Sequence, residues 1–319
     1  MTALQTTWPT AVRSFDQAAA EGRLDLPLPG HGHTRERLLE LAALGREDLV
    51  LARLAEGHAD ALAILAELGG YAGVDARSQR WGVWAAVPRS LTAVRTAGGW
   101  RLSGDRPWCS GAGVLTHALV TAADGDDVRL FAVRVQQDGV TPRDGTWPAV
   151  GMAGSDSRTV TFDDVRADPV GDPGAYVHRP GFWHGGIGVA ACWYGGATGV
   201  ADALLAGARP DRPHVLAHLG AVGVALGAAR AVLMEAADRI DADPKADAEL
   251  LAFRVRAGVE QAATSVLDHV GRALGAGPLC TDGEHARRVA DLTVYLRQSH
   301  AEADLAHLGE LLIGAGPAW

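Results

Sequence analysis

Cysteine is scarce: three residues in 319, Cys109, Cys192 and Cys280, lie far apart and form no CxxC pair. That excludes a disulfide framework and a cysteine zinc site, and it points to a reducing compartment, with the cytoplasm as the expected location. Basic charge is in deficit. With 29 Lys and Arg against 38 Asp and Glu, the net charge is −9 and the isoelectric point about 5.7, leaving no basic field for nucleic acid or an anionic membrane. No run approaches the roughly 20 apolar residues that cross a bilayer. The N-terminal MTALQTTWPTAVRSFDQ carries charges where a secretory signal has an apolar core. Metal patterns are missing as well. There is no HEXXH and no clustered Cys/His spacing, and Glu56, His58 and Asp60 of EGHAD, two apart, point to different faces of a helix. Neither an internal repeat nor a low-complexity tract occurs.

What is present is apolar surface. It makes up 48% of the residues, enough for a large core in one large unit or two to three domains, and it rules out a disordered or fibrous chain. From Arg35 to Leu68 apolar residues recur at three and four, which predicts two amphipathic helices; Thr34, following the Pro- and Gly-dense LDLPLPGHGH, is the candidate N-cap. After Gly69-Gly70 the texture changes. WGVWAAVP, SLTAVRT, WRLSG, THALVTA, VRLFAVRV and RTVTFDDVRA are short Val-, Thr- and aromatic-rich runs between Gly, Asp and Pro turns, and they read as strands. Their close spacing without helices between them argues for an antiparallel sandwich or barrel. Beyond PGFWHGGIG four long helical stretches follow, the last written through HARRVADLTVYLRQSHAEADLAHLGELL, and short connections make them an antiparallel bundle. In the second stretch, the small residues of GAVGVALGAARA predict close helix packing or a subunit interface. The expected organisation is α+β and multidomain: N-terminal helices over 1–77, a β-domain over 78–170 and a four-helix bundle over 171–319.

Three segments stand out on this framework: GWRLSGDRPWCSGAGVLTHALVTA (Gly99–Ala122), GMAGSDSRTVTFDDVRADP (Gly151–Pro169) and ALGAGPLCTDGEHARRVADLTVYLRQSHAE (Ala273–Glu302). With them, and with its order of helices, small β-domain and bundle, the chain resembles the acyl-CoA dehydrogenase superfamily over about residues 78–312. The first resembles the family's "G-x-K-x-W-I-T-N-G", whose W-I-T residues lie along the flavin ring, and places Trp108, Cys109 and Ser110 there. A flat aromatic wall beside a hydroxyl and free backbone N–H groups is what an isoalloxazine ring needs. The second, through Phe162, Asp163, Asp164, Val165 and Pro169, resembles the family's last β-strand and bears on fold alone. The third places Gly275 and Gly277 where glycines admit the adenosine diphosphate half of FAD, although a GAG before Pro278 also reads as an ordinary helix C-cap and turn.

The departures concern chemistry. Where the family has its catalytic glutamate, this sequence has Ser299 and His300; Glu302 lies one turn on. Trp84 stands roughly where the family has a threonine by the flavin, crowding the pocket or stacking on the ring. Arg209 and Arg212 replace the family's arginine at the second bundle helix. The candidate catalytic residues are therefore His300, Ser299 and Arg297, with His58 a further histidine near carboxylates; the candidate cofactor residues are Trp108, Cys109, Ser110, Trp84, Gly275 and Gly277. A histidine can act as a general base at neutral pH. The resemblance implies FAD, an acyl-thioester or related small acyl substrate, dehydrogenase-type oxidation and a homodimer or homotetramer. The alternatives are a monooxygenase of the same fold, with reduced flavin and oxygen, and a non-catalytic binding or assembly protein.

Overall fold

The computed structural model describes residues 8–69, 71–76, 78–86 and 90–316; Gly70 of the glycine pair and residues 87–89 of WAAVPRS lie outside the described residues. The chain forms two compact units that interleave along the sequence. One comprises Met1–Leu26, Arg53–Ala149 and Ala153–Phe182, the other Pro27–Ala52, Val150–Met152 and Trp183–Trp319.

The first unit is built on strands. They are β1 (Trp81–Trp84), β2 (Leu91–Thr96), β3 (Gly99–Cys109), β4 (His117–Asp124), β5 (Asp127–Arg134), β6 (Val140–Pro142) and β7 (Arg158–Val170). Their pairings β4–β2, β2–β3, β3–β7, β7–β5 and β5–β4 form a closed circuit, in which β4 meets β5 on one edge and, on the other, β1 and, through Thr92–Ala123 alone, the tip of β2. The helix α1 (Trp8–Ala20) and most of α3 (Leu49–Leu68) belong to this unit. Ala61, Ile64 and Leu65 of α3 pack with Trp81, Leu119, Leu130, Ala132 and Val170. Burial of each large side chain there contributes about 1.5–3 kcal/mol. Because α3 covers the sheet, β4 reads as a continuous apolar run, with residues His117–Ala122 all buried. The antiparallel expectation holds for five pairings, whereas β1 and the tip of β2 run parallel to β4. One reversal at the β2–β3 turn and a second before β4 bring the chain back in its original direction. At Gly104, φ is 127°, and a Cβ there would lie 2.2 Å from the Ser90 carbonyl oxygen, which explains a glycine inside a strand.

The second unit is helical: α2 (Thr34–Glu47), most of α5 (Gly181–Gly207), α6 (Pro213–Ala242), α7 (Glu249–Leu274), short α8 (Gly277–Thr281), α9 (Gly283–Tyr295) and α10 (Glu302–Ala315); one further turn, α4 (Ala175–His178), sits in the first unit. The close helix approach lies on α5. A Cβ on Gly195 would be 2.0 Å from the Ala42 carbonyl oxygen, and one on Gly45 2.5 Å from that of Cys192, so α2 and α5 cross backbone against backbone. In α6, by contrast, a Cβ on Gly220, Gly223 or Gly227 would meet nothing beyond its own helix within 4 Å among the described residues, and most of the helix's apolar window is exposed. Both α5 and α6 are long and apolar enough to cross a membrane, a property that counting Leu-type runs misses because Gly and Ala supply much of the length; α5 is mostly buried.

Two local expectations are corrected. Thr34 does not cap α2. Its side chain is buried, and Asp241 at the end of α6 accepts the Thr34 N–H (2.9 Å), the Thr34 hydroxyl (2.6 Å) and the Gly32 N–H (3.0 Å). The first turn of α2 is thus satisfied by a carboxylate from another helix rather than by its own cap. The last long helix is also not continuous. It ends as α9 and a 3-10 turn at Leu296–Gln298, bends at Ser299–His300 and restarts as α10.

Candidate active-site residues

In the first unit the site residues cluster at the end of β3. Pro107 offers no ladder donor, and the β3–β7 register shifts between Arg106 and Cys109. Trp108 takes up the irregularity with φ 58° and leaves 57% of its surface exposed. A bulky side chain in the left-handed region is a strained, over-determined position of the kind found at functional sites. Its neighbour Cys109 is buried, its thiol donates to the Arg106 carbonyl oxygen (3.2 Å), and burial pushes its pKa well up, so it is not a nucleophile at neutral pH. Ser110 is buried and shares a hydrogen bond with Ser157 (2.8 Å), which in turn bonds Ser155 (2.8 Å). The Ser155 carbonyl oxygen receives the Gly111 N–H (2.7 Å). This chain of three hydroxyls was not visible in the sequence, because its members come from two segments more than forty residues apart.

Trp84 does not present a face. It is buried, donates its indole N–H to the Ser110 carbonyl oxygen (2.9 Å) and meets Phe162 edge-on, so it backs the Ser110 turn instead of lining a pocket. Ser110 also lines a small pocket with Gly57 and Arg53 of α3, Gly82 and Leu115. Arg53 there is ion-paired with Glu56 at 2.8 Å. His58 is fully buried, accepts the Trp81 N–H at Nδ1 (3.1 Å) and has its pKa pushed down to about 4, chiefly by desolvation and then by the Arg80 charge. It holds β1 against α3 as a neutral imidazole. Asp60 faces Arg179 at 3.7 Å, so the EGHAD carboxylates are structural ion pairs.

In the second unit the break after α9 holds the other candidates. Ser299 is buried and its Oγ accepts the Ala301 N–H (3.2 Å). His300 is exposed; its N–H donates to Asp304 Oδ2 (2.9 Å), and its ring lies 3.3 Å from Oδ1. Arg297 is exposed and paired with Glu260. Ala301 is strained at φ 49°, ψ −110°. Glu302 is exposed at the start of α10, and Asp304 fixes the backbone of the break. Arg256 donates to the Gln298 carbonyl oxygen (3.4 Å) and the Gly186 carbonyl oxygen (3.0 Å), with its guanidinium 4.7 Å over Trp193. Trp193 is fully buried and its indole N–H has no acceptor among the described residues. Asp291 is buried, accepts the Met152 N–H (2.5 Å) and lies 3.3 Å from Arg287; burial raises its pKa to about 6 against these interactions.

Gly275 has φ 68° and caps α7, Gly277 opens α8, and a Cβ on either would meet nothing within 4 Å among the described residues. Arg209 donates to the Ala206 and Ala208 carbonyl oxygens at the end of α5, and Arg212 precedes α6. Among the described residues no group of three or more His, Cys, Asp or Glu side chains is arranged to hold a metal.

No protein-family model matches the sequence, and no curated protein matches it significantly. Solved structures do. Methanesulfinate monooxygenase MsuC from Pseudomonas fluorescens superposes with a TM-score of 0.77 at 18% identity, covering 100% of this chain and 98% of its own. TdsC from Paenibacillus sp. A11-2, solved with FMN and indole, gives 0.75 at 17% over 98% and 97%. FkbI, from biosynthesis of a methoxymalonyl extender unit, gives 0.79 at 17% over 96% and 93%. The chain has the acyl-CoA dehydrogenase fold. The break at Ser299–His300 offers a buried hydroxyl and an exposed imidazole.

Proposed function

We propose that the protein is a flavin-dependent oxidoreductase that works as a monooxygenase with reduced flavin and oxygen, rather than as an acyl-thioester dehydrogenase. The observation that carries the choice is the break between α9 and α10. Proton abstraction next to a thioester carbonyl needs a carboxylate free to take the proton. Here Glu302 is exposed and Asp304 is bonded to the His300 backbone. Two of the structural neighbours are monooxygenases by name, and TdsC has been solved with FMN.

The residues at the end of β3 fit a flavin. Trp108 supplies an exposed aromatic face, and the Ser110–Ser157–Ser155 hydroxyls supply polar groups behind it. When bound, a flavin supplies the redox and oxygen chemistry that no side chain has. Trp108 would stack on the ring and exclude water from one face, Ser110 would orient its polar edge, and Trp84 would hold the Ser110 turn in place. In the second unit, His300 is an exposed imidazole beside Asp304, and Arg297 is held by Glu260. FMN is the flavin read here, because the neighbour TdsC was solved with FMN.

The test is a titration of the purified chain with FMN and FAD, oxidised and reduced, followed by flavin fluorescence. Binding of FMN that weakens at least about tenfold in Trp108→Ala, with oxygen uptake when a flavin reductase and NADH are added, supports the reading. A chain that binds neither flavin sinks it. Anaerobic bleaching near 450 nm by an acyl-CoA would restore the dehydrogenase.

A further inference from the structure

The three hydroxyls beside the β3 turn can be hydrogen-bonded in either direction. Resting on the flavin reading, we infer that Ser157 is a positioning residue that lets the Ser110 hydroxyl donate to oxidised flavin and accept from the reduced form. Ser157 Oγ lies 2.8 Å from Ser110 Oγ and 2.8 Å from Ser155 Oγ, and in each pair either oxygen can be the donor. All three residues are more than nine-tenths buried. A serine hydroxyl has one hydrogen to give and two lone pairs. When Ser155 donates to Ser157 and Ser157 to Ser110, the Ser110 hydrogen is left to point at a ligand. When Ser110 donates to Ser157 and Ser157 to Ser155, Ser110 offers that ligand a lone pair instead. The change rotates three O–H bonds and gives up neither hydrogen bond.

The oxygens themselves are held in place by the backbone around them. The Ser110 carbonyl oxygen accepts the Trp84 indole N–H (2.9 Å), the Ser110 N–H donates to the Trp108 carbonyl oxygen (3.1 Å), and the Gly111 N–H donates to the Ser155 carbonyl oxygen (2.7 Å). Among the described residues Ser157 is the one side chain bonded to the Ser110 hydroxyl. A flavin asks for both roles at one place: a ring nitrogen that accepts in the oxidised form carries a hydrogen once the ring is reduced, and hydrogen bonds to ring nitrogens tune its electronics. Without Ser157 the two roles suffer unequally. A donating Ser110 still spends its hydrogen on the ligand and loses only a bond to a lone pair. An accepting Ser110 is left with a buried hydrogen and no acceptor, which is the costlier loss.

The experiment measures the dissociation constants of oxidised FMN and of dithionite-reduced FMN, by anaerobic ultrafiltration, for the full chain and for Ser157→Ala and Ser155→Ala, with circular dichroism to check folding. Ser157→Ala should weaken reduced FMN at least about fivefold more than oxidised FMN. Ser155→Ala, which removes the far acceptor of the chain and leaves Ser110 and Ser157 in place, should shift the ratio in the same direction, and it decides the matter if Ser157→Ala does not fold. A merely structural role would weaken both forms by the same factor, so an unchanged ratio overturns the inference while flavin binding stands. So does a ratio shifted towards the reduced form. A parent chain that binds neither form overturns the flavin reading and this inference together.

Discussion

Replacing Gly195 by alanine tests the crossing of α2 and α5 directly. The new methyl group would lie 2.0 Å from the Ala42 carbonyl oxygen, 2.8 Å from its carbonyl carbon and 3.0 Å from its Cα. All three are backbone atoms, so no side chain can swing away. Ordinary contact begins near 3.4 Å, which asks α2 to retreat by about 1.4 Å. That movement pulls on the Arg46–Asp202 pair (2.8 Å) and on the Asp241 bonds to Thr34. Overpacking of this kind costs about 1–3 kcal/mol, and the unyielding backbone puts the clash at or above the top of that range. Helix propensity works the other way, favouring alanine by about 0.5–1 kcal/mol. The expected net loss is about 2 kcal/mol, roughly a thirtyfold drop in the folded-to-unfolded ratio. Gly227 on α6 is the control: a Cβ there meets nothing, so Gly227→Ala keeps only the propensity gain and should stabilise by about 0.5–1 kcal/mol. Urea denaturation followed by circular dichroism reads both. If Gly195→Ala is as stable as the parent, or if the two substitutions shift the midpoint in the same direction, the backbone contact is wrong.

Two buried groups give opposite pH slopes. The folded-state pKa of Asp291 is raised from 3.8 to about 6, so between those values the native state holds more proton than the unfolded chain and stability falls as pH rises. The folded-state pKa of His58 is lowered from 6.5 to about 4, so stability rises with pH across nearly the same window. Asp291→Asn should therefore leave a rising profile between pH 4 and 6 and His58→Gln a falling one, measured by denaturant midpoints. Identical profiles in the two variants would contradict both assignments. Among the thiols, Cys280 is exposed while Cys109 and Cys192 are buried, so one cysteine per native chain should react promptly with Ellman's reagent and three after unfolding.

Six of the seven strands follow from local signals, because each run of Val, Thr and aromatics ends at a Gly, Asp or Pro turn. The seventh, Val140–Pro142, has three residues and a proline, below what alternation can register. Ring closure depends on β4 and β5 meeting strands distant in sequence, which no window contains. The break after α9 was missed because LRQSHAEAD holds neither Gly nor Pro and the helical period runs through it. A signal was there: Ser299 and Glu302 are spaced as a capping box. The structure uses Ser299 and Asp304 to restart the helix. The tryptophan–cysteine–serine turn was legible as a site, but the sequence could not say that Trp84 would be a buried support or that Ser155 and Ser157 would continue the hydroxyl chain. The glycines of α6, expected to allow close helix packing or a subunit interface, face no other helix within the chain among the described residues, whereas those of α5 cross α2 backbone against backbone.

The interleaving of the two units bears on how the chain can fold as it is made. The barrel ring cannot close until β7 has been synthesised, and α2 has no backbone to lie against until α5 follows. Early helices must therefore leave the ribosome unpartnered and wait, which denies this protein the usual sequence of N-terminal domain first. No cut between residues 27 and 182 releases a complete unit, so a nick in that stretch damages both at once.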